Sequence, residues 1–88
     1  MTGIYQIEWK QSALRELKHL DRQSIPLIIK AIESLASNPF PQSVKKLQGS
    51  EHKYSLRVGD YRVIYEVYSR RLVIEVIRVR HRKDAYRE

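Results

Sequence analysis

The chain has 88 residues, a net charge of +7, a hydrophobic content of 42% and a charged content of 31%, which fit one small globular domain and exclude a disordered segment. It contains no cysteine, which excludes disulfides and thiolate metal sites. No apolar run approaches the roughly 20 residues of a membrane helix and no signal peptide opens the chain, so we expect a cytoplasmic protein without a membrane partner.

The positive charge is concentrated in the second half of the chain. Residues 1–44 carry five lysines and arginines against four acidic residues, whereas residues 45–88 carry twelve against six. Such asymmetry is typical of proteins that bind nucleic acid, an acidic protein or an anionic membrane. We therefore expect the second half to bind a polyanion, with RNA as the favoured partner.

The first half predicts a strand followed by two helices. Apolar and polar residues alternate over residues 4–9, which indicates a strand. Leucines at helical spacing predict a first helix over about residues 12–20, with Ser12 as its N-cap. Apolar residues on one face predict a second helix over about residues 24–37.

The start of the second helix is open between two caps. Asp21 and Ser24 can each cap it, and Pro26 favours Ser24 because proline is tolerated in a first helical turn. The helix must end before Asn38 and Pro39, since proline restricts the residue that precedes it. We expect two antiparallel helices, followed by a connecting loop over residues 37–50.

The second half changes to a period of two residues. It predicts three antiparallel strands in a meander, over about residues 53–58, 61–68 and 72–79. Residues 80–88 are polar and charged and are interpreted as a basic tail. The turn between the last two strands is ambiguous, and a one-residue shift there would reverse the face on which Arg78 and Arg80 lie.

A tight hairpin brings two arginines together. Gly59 and Asp60 are typical of a two-residue hairpin loop, which places Arg57 directly opposite Arg62. The apolar residues of both strands then face the helices, and Lys53, Ser55 and the two arginines share the other face. Directly opposed like charges weaken a strand pair.

Two interpretations of this arginine pair stay open. A functional one is a phosphate clamp, because guanidinium groups match phosphate oxygens in a bidentate manner. The other is a solvated face on which each arginine pairs with a nearby acid such as Glu66 or Glu75.

The basic tail has the same two interpretations. Residues 78–83 contain four cations and His81, and Tyr86 follows; cations and an aromatic ring together suit nucleic acid, although a tail of this kind can also serve solubility alone. Three scattered histidines without cysteine or an acidic cluster do not form a metal site, so we expect no metal and no cofactor.

These motifs resemble one known family. The runs Tyr54–Val67 and Ile77–Tyr86, the two helices ending at Asn38-Pro39, and Lys46-Leu47-Gln48-Gly49 before the next strand are similar to the RelE/ParE toxin superfamily of toxin–antitoxin pairs. The similarity covers nearly the whole chain. It implies an α+β fold, in which two antiparallel helices pack on a four-stranded, mainly antiparallel sheet.

The resemblance also implies an activity. The RelE branch cleaves messenger RNA in the ribosomal A site without metal, using basic residues and a C-terminal tyrosine, whereas the ParE branch poisons DNA gyrase. The matching positions in this chain are Arg57, Arg62, Arg82 and Tyr86, which favour the RelE-like activity. The remaining basic residues are expected to bind RNA or the ribosome, namely Lys45, Lys46, Lys53, Arg78, Arg80 and Lys83.

One position departs from the family pattern. A lysine is expected two residues before Arg57, and this chain has Ser55, which carries no positive charge and is a poor base. Lys53, Arg57 or His81 would then take the proton of the attacking hydroxyl. His81 is the chemically natural candidate because its ordinary pKa lies near 6.5.

Other functions stay open beside cleavage. A ParE-like gyrase inhibitor without nuclease activity and a noncatalytic nucleic-acid-binding module are both compatible with the charge pattern. The resemblance further implies a cognate antitoxin, with an acidic, amphipathic segment that covers the basic sheet, in a higher-order toxin–antitoxin complex.

Overall fold

The computed structural model describes residues 4–81 and Lys83, and it folds two helices against one five-stranded sheet. The elements in chain order are β1 (Gln6–Trp9), α1 (Gln11–Lys18), α2 (Ile25–Ser34), β2 (Val44–Lys46), β3 (Lys53–Val58), β4 (Tyr61–Tyr68) and β5 (Val73–His81). In the part of the chain so described, neither helix has the length and apolar character needed to cross a bilayer.

The sheet has the strand order β1-β5-β4-β3-β2. The strand β1 pairs with β5 in parallel, and every other neighbouring pair is antiparallel. The two helices connect β1, at one edge of the sheet, to β2 at the other edge. The chain then returns through three antiparallel strand pairs, and β5 ends beside β1 and runs parallel to it. The predicted α+β class is confirmed.

The hydrophobic core lies between the helices and one face of the sheet. Because β-strand side chains alternate between faces, each strand contributes every second residue to it. The helices contribute Ala13, Leu17, Ile28, Ile32 and Leu35, and the sheet contributes Leu56, Val63, Tyr65, Val67, Ile74, Val76 and Val79. We call this the helix face of the sheet and the opposite side its outer face.

The predicted number of strands was wrong by one. Residues 37–50 were expected to form a loop, but β2 lies within them and pairs with β3 as an edge strand. Its three residues, Val44, Lys45 and Lys46, contain one apolar side chain and therefore show no alternation that a pattern could detect. Pairing with β3, rather than an intrinsic preference of these three residues for an extended backbone, stabilises the strand.

The helix ends also differ from the prediction. The N-cap position of the first helix is occupied by Lys10, which makes no side-chain capping hydrogen bond, rather than by Ser12, whose hydroxyl donates a hydrogen bond to the carbonyl oxygen of Ile77, 3.1 Å away. Ser24 is the N-cap residue of α2 as predicted, with Pro26 in the first turn, although its side chain makes no capping hydrogen bond. Both helices end earlier than the apolar pattern suggested, at Lys18 and Ser34.

The β3–β4 hairpin has the predicted two-residue loop and register, with Val58 opposite Tyr61 and Arg57 opposite Arg62. Gly59 has φ of +59°. A glycine with positive φ at the first loop position is what a type II′ turn requires. A side chain at that position would meet no atom within 4 Å, so the requirement comes from the backbone alone.

Replacing Gly59 with alanine is therefore expected to lower the free energy of unfolding by about 1 kcal/mol, the cost of left-handed backbone for a residue with a Cβ atom. Urea unfolding followed by circular dichroism measures it. The neighbouring Asp60→Ala serves as the matched control and should change stability less. Equal losses in both variants would contradict a backbone origin.

Candidate active site

The β4–β5 register decides which face the C-terminal arginines occupy. Ile64 lies opposite Arg78 whereas Tyr65 lies opposite Val76, so Ile77 is an extra residue on β5. Such a bulge reverses the alternation of the strand beyond it. Without it, Arg78 and Arg80 would follow Val76 onto the helix face; with it, they lie on the outer face.

The bulge aligns three arginines across three strands. Arg57 on β3 lies opposite Arg62 on β4, and Arg62 lies opposite Arg80 on β5. We call these three residues the arginine row. Because neighbouring strands are about 4.8 Å apart, the row spans roughly 10 Å of the outer face. The structure thus adds Arg80 to the predicted pair.

The sequence predicts that the last strand ends at residue 79 and that Arg80 belongs to a basic tail, and this predicted strand end is wrong. The strand β5 continues to His81, because Arg80 and His81 pair with Arg62 and Tyr61. The pattern did not predict a strand after Val79, because the residues that follow are charged or polar and no apolar residues alternate with them. Within the arginine row, Arg57 is exposed and donates its Nε–H to the carbonyl oxygen of Gly59 at 3.2 Å, and Arg62 and Arg80 are half-buried.

A second row of residues crosses the outer face beside the first. Lys45, Ser55, Ile64 and Arg78 follow one another from β2 to β5. Lys45 and Arg78, both predicted to bind RNA, lie at the two ends of this second row, beside the arginine row. Lys46 does not join them, because it pairs with Tyr54 and lies on the helix face.

Acidic residues occupy the other end of the outer face. Glu66 lies opposite Lys53 on one side and Glu75 on the other. Glu66 lies four positions after Arg62 on β4, a distance of about 13 Å along the strand. The outer face is therefore divided into a basic end at the β3–β4 hairpin and a mainly acidic end that contains Lys53.

At the acidic end, Tyr68 donates its hydroxyl hydrogen to Oε1 of Glu75 at 3.2 Å. Burial, together with Glu66 and Glu75, raises the pKa of Tyr68 to about 12, so the phenol stays neutral. Arg71 lies over the same ring, 4.5 Å from its centre. These contacts hold the β4–β5 turn, and they lie far from the arginine row.

The position that departs from the family pattern is buried. Ser55 is only 4% exposed and lies between Lys45 and Ile64 in the second row. It contributes neither charge nor an accessible base.

His81 is not brought to the arginine row. It lies opposite Tyr61 on the helix face, and the two rings meet edge to face with centres 5.6 Å apart. Its Nδ1 accepts the backbone N–H of the exposed Lys83 at 3.3 Å. The predicted site residues Arg82 and Tyr86 lie outside the described residues.

Sequence reasoning missed Glu16 on α1. Its Oε1 accepts the backbone N–H of Val79 at 2.9 Å, and its Oε2 accepts Nε–H of Arg80 at 2.9 Å and a guanidinium N–H of Arg78 at 3.2 Å. More than sixty residues separate Glu16 from these partners, so no local spacing could have revealed the contact. Arg15, His19 and His81 line the same open groove, which has a volume of about 540 Å³.

The contacts of Glu16 predict a pH dependence of stability. Burial, the largest single influence, raises the pKa of this carboxyl, but the hydrogen bonds from Val79, Arg80 and Arg78 together lower it below its ordinary value of 4.5. A group whose pKa is lower in the folded state stabilises the fold above its unfolded pKa and loses that contribution as the pH falls.

We expect wild type to be more stable than Glu16→Gln by roughly 1–3 kcal/mol at pH 7, the range for hydrogen bonds to charged groups. The difference should shrink as the pH falls below 4.5, since the carboxyl then becomes neutral first in the unfolded chain and then in the folded one. Urea unfolding of both proteins at each pH measures it. A difference that stays constant over this range would contradict the role of the carboxylate charge.

Comparison with known proteins places this geometry in a family. A family model described as ParE toxin of type II toxin–antitoxin system, parDE, matches residues 7–86. Toxin RelE3 of Methanocaldococcus jannaschii is 35% identical over 77 residues, which cover 83% of this chain and 85% of that protein.

Solved structures give the same result. The archaeal RelE–RelB complex of Pyrococcus horikoshii contains a chain that superposes with a TM-score of 0.81 at 28% identity, over 93% of this chain and 99% of that one. A chain of the intact RelBE toxin–antitoxin complex of Escherichia coli gives a TM-score of 0.75 at 26% identity, over 88% and 95% of the two chains.

Proposed function

The chain belongs to the RelE/ParE superfamily of type II toxin–antitoxin toxins, in its RelE-like branch, and we propose that it is a metal-independent endoribonuclease that cleaves mRNA in the ribosomal A site and inhibits translation. The observation that carries this proposal is the arginine row. Three arginines on neighbouring strands, whose backbone positions span roughly 10 Å of one sheet face, suit a single RNA phosphate and its neighbours.

The proposed reaction is an internal transfer of the phosphate. The 2′-oxygen attacks the adjacent phosphorus as its proton passes to water, the bond from phosphorus to the 5′-oxygen breaks, and that oxygen takes up a proton, so the products carry a 2′,3′-cyclic phosphate and a 5′-hydroxyl. Negative charge accumulates on the phosphate oxygens in the transition state. Preorganised cations stabilise such charge by about 3 kcal/mol for each donor, and the arginine row supplies three of them.

The three candidates for the base, Lys53, Arg57 and His81, occupy different places in the fold. Lys53 lies about 13 Å along β3 from Arg57, at the acidic end of the outer face. His81 lies on the helix face. Only Arg57 lies in the row, and because a guanidinium hardly deprotonates, its role is to stabilise charge at the 2′-oxygen and phosphate.

The family resemblance assigns two further residues to the site. Arg82 would donate to the leaving 5′-oxygen, and Tyr86 would stack on a base and orient the nucleophile. Lys45 and Arg78 would contact further phosphates of the RNA, since they lie in the row beside the arginine row. Lys46, Lys53 and Lys83 would contribute to the positive field toward the ribosome rather than to the cut itself.

A cognate antitoxin is the second proposed partner. The relatives from Pyrococcus horikoshii and Escherichia coli were solved as RelE–RelB complexes. An acidic, amphipathic segment would complement the basic end of the outer face and order as it binds. Because ribosomes are its target, we place the toxin in the cytoplasm.

The proposal is tested in a translating extract. Purified protein should produce cuts in ribosome-bound mRNA that primer extension locates. Naked RNA serves as the control, which should be cut far more slowly. Normal translation with uncut mRNA would overturn the proposal.

A gyrase inhibitor is the alternative function, because the matching family model is named for ParE. It predicts loss of DNA supercoiling by purified gyrase and growth arrest with intact mRNA. A supercoiling assay with the same protein preparation separates the two activities.

A further inference from the structure

Strand β5 is longer than its neighbour β1, and α1 covers the remaining edge. The pairing of β1 with β5 ends at Trp9 and Val76. Beyond it, the backbone N–H of Lys10 donates to the carbonyl oxygen of Val76 at 2.9 Å, and the Ser12 hydroxyl donates to that of Ile77. The carboxylate of Glu16 then accepts the N–H of Val79. The start of α1 therefore substitutes for a strand along this edge.

The two oxygens of the Glu16 carboxylate have different partners. Oε1 is fixed by the backbone of Val79, which belongs to the central part of the fold because its side chain is only 1% exposed. Oε2 contacts Arg78 and Arg80. Because the backbone N–H of Val79 fixes Oε1, the carboxylate of Glu16 has little rotational freedom. Its other oxygen, Oε2, can therefore hold the guanidinium of an arginine in a defined orientation.

Charge gives Glu16 a second effect on the same arginines. Arg80 lies next to Arg62 across the strands and two residues from Arg78 along β5. Like charges at this spacing repel and would favour side chains that spread into solvent. The negative charge of the Glu16 carboxylate, which contacts both Arg78 and Arg80, offsets that repulsion.

From these contacts we propose that Glu16 is a positioning residue, which orients the guanidinium of Arg80 and so completes the arginine row for the RNA phosphate. This inference rests on the proposed nuclease function. Glu16 acts through Arg80 and lies on α1, at the edge of the sheet rather than in the row itself. Errors of about 1 Å in the placement of such groups can cost 10²-fold in rate.

The test compares Glu16→Gln with Ser12→Ala. Glutamine keeps an oxygen for the N–H of Val79 but loses the charge that holds Arg80, whereas Ser12→Ala removes a hydrogen bond from the same β5 edge and leaves Arg80 untouched. We expect the single-turnover cleavage rate at saturating toxin to fall by about 10-fold or more in Glu16→Gln and by less than about twofold in Ser12→Ala.

Binding of a single-stranded RNA oligonucleotide separates positioning from plain electrostatics and from unfolding. Removal of one negative charge from a protein of net charge +7 should leave RNA affinity unchanged or raise it. Slower cleavage with undiminished binding supports positioning. A parallel loss of binding and cleavage, or cleavage equal to that of Ser12→Ala, would overturn it.

A readout independent of catalysis is the NMR resonance of the Arg80 Nε–H group. It should be dispersed and slow to exchange with solvent in wild type and in Ser12→Ala, and collapsed toward free arginine in Glu16→Gln. An unchanged resonance in Glu16→Gln would overturn the inference. If wild type fails to cut ribosome-bound mRNA, the proposed function and the catalytic role of Glu16 both fall, while the orientation of Arg80 is judged on this resonance alone.

Discussion

Replacing Arg62 with alanine is expected to slow mRNA cleavage by about 10²–10³-fold, the effect of removing one preorganised donor from a transition state that gains charge. Arg62 is the middle residue of the arginine row and stands on β4, the central strand of the sheet. A donor there can reach the phosphate together with either neighbour. The fold should persist, because the substitution also removes repulsion with Arg57.

Two variants control for charge and for position. Arg22→Ala removes the same charge from the exposed turn between the helices and should cleave within about threefold of wild type, since it alters only the long-range field. His81→Ala should also retain cleavage, because His81 lies on the helix face. Single-turnover assays on ribosome-bound mRNA, with thermal unfolding of each variant, measure these effects. Full activity in Arg62→Ala would remove the arginine row from the mechanism.

The Arg57–Arg62 pair could be predicted from sequence because the determining signal is local. A glycine followed by aspartate fixed the hairpin loop, and a two-residue loop fixes the register of the strands that it joins. The structure confirms every pair from Val58 and Tyr61 to Tyr54 and Tyr65. A turn that needs positive φ at this position favours glycine, and that glycine can be read directly from the sequence.

The position of Arg80 could not be settled in the same way, because it depends on a bulge between distant residues. The strand gives no clear signal of the bulge, because apolar residues occupy both odd positions (Val73, Ile77, Val79) and even positions (Ile74, Val76). The extra residue at Ile77 is set by the pairing of β5 with β4.

Glu16 marks the limit of pattern reasoning at this site. On a helix of eight residues it is one polar residue among several, and its half-buried place is set by how α1 packs beside β5. The strand β2 was missed for a related reason, since its pairing partner rather than its own composition makes it a strand. Both are tertiary effects.

The second large effect is expected at Tyr65. Its side chain is fully buried, and its hydroxyl donates to the carbonyl oxygen of Pro39 at 2.6 Å. Its ring stacks on Tyr54 with centres 5.8 Å apart, and Tyr54 contacts Phe40 at 5.0 Å. The residue thus joins the central strand to the segment that leads into β2 and Lys45.

Tyr65→Ala should lower the free energy of unfolding by about 3–5 kcal/mol, as truncation of a buried aromatic ring leaves a cavity. Domains of this size have a total stability of about 5–15 kcal/mol, so this loss removes a substantial share of it. Tyr65→Phe keeps the packing and should lose only about 1–2 kcal/mol, the value of its hydrogen bond. Tyr68→Phe is the matched control. Tyr68 is half-buried at the acidic end of the outer face, so its variant should lose less stability than Tyr65→Phe.

Alkaline pH tests the hydroxyl of Tyr65 separately from its ring. Burial, with a smaller effect of Tyr54, raises the pKa of Tyr65 well above its ordinary value of 10. A group whose pKa is raised in the folded state stabilises the fold below its unfolded pKa and loses that contribution as the pH rises. The advantage of wild type over Tyr65→Phe in urea unfolding should therefore be complete at pH 8 and shrink above about pH 10. An advantage that persists unchanged at higher pH would contradict a hydroxyl whose pKa is raised by its burial in the folded state.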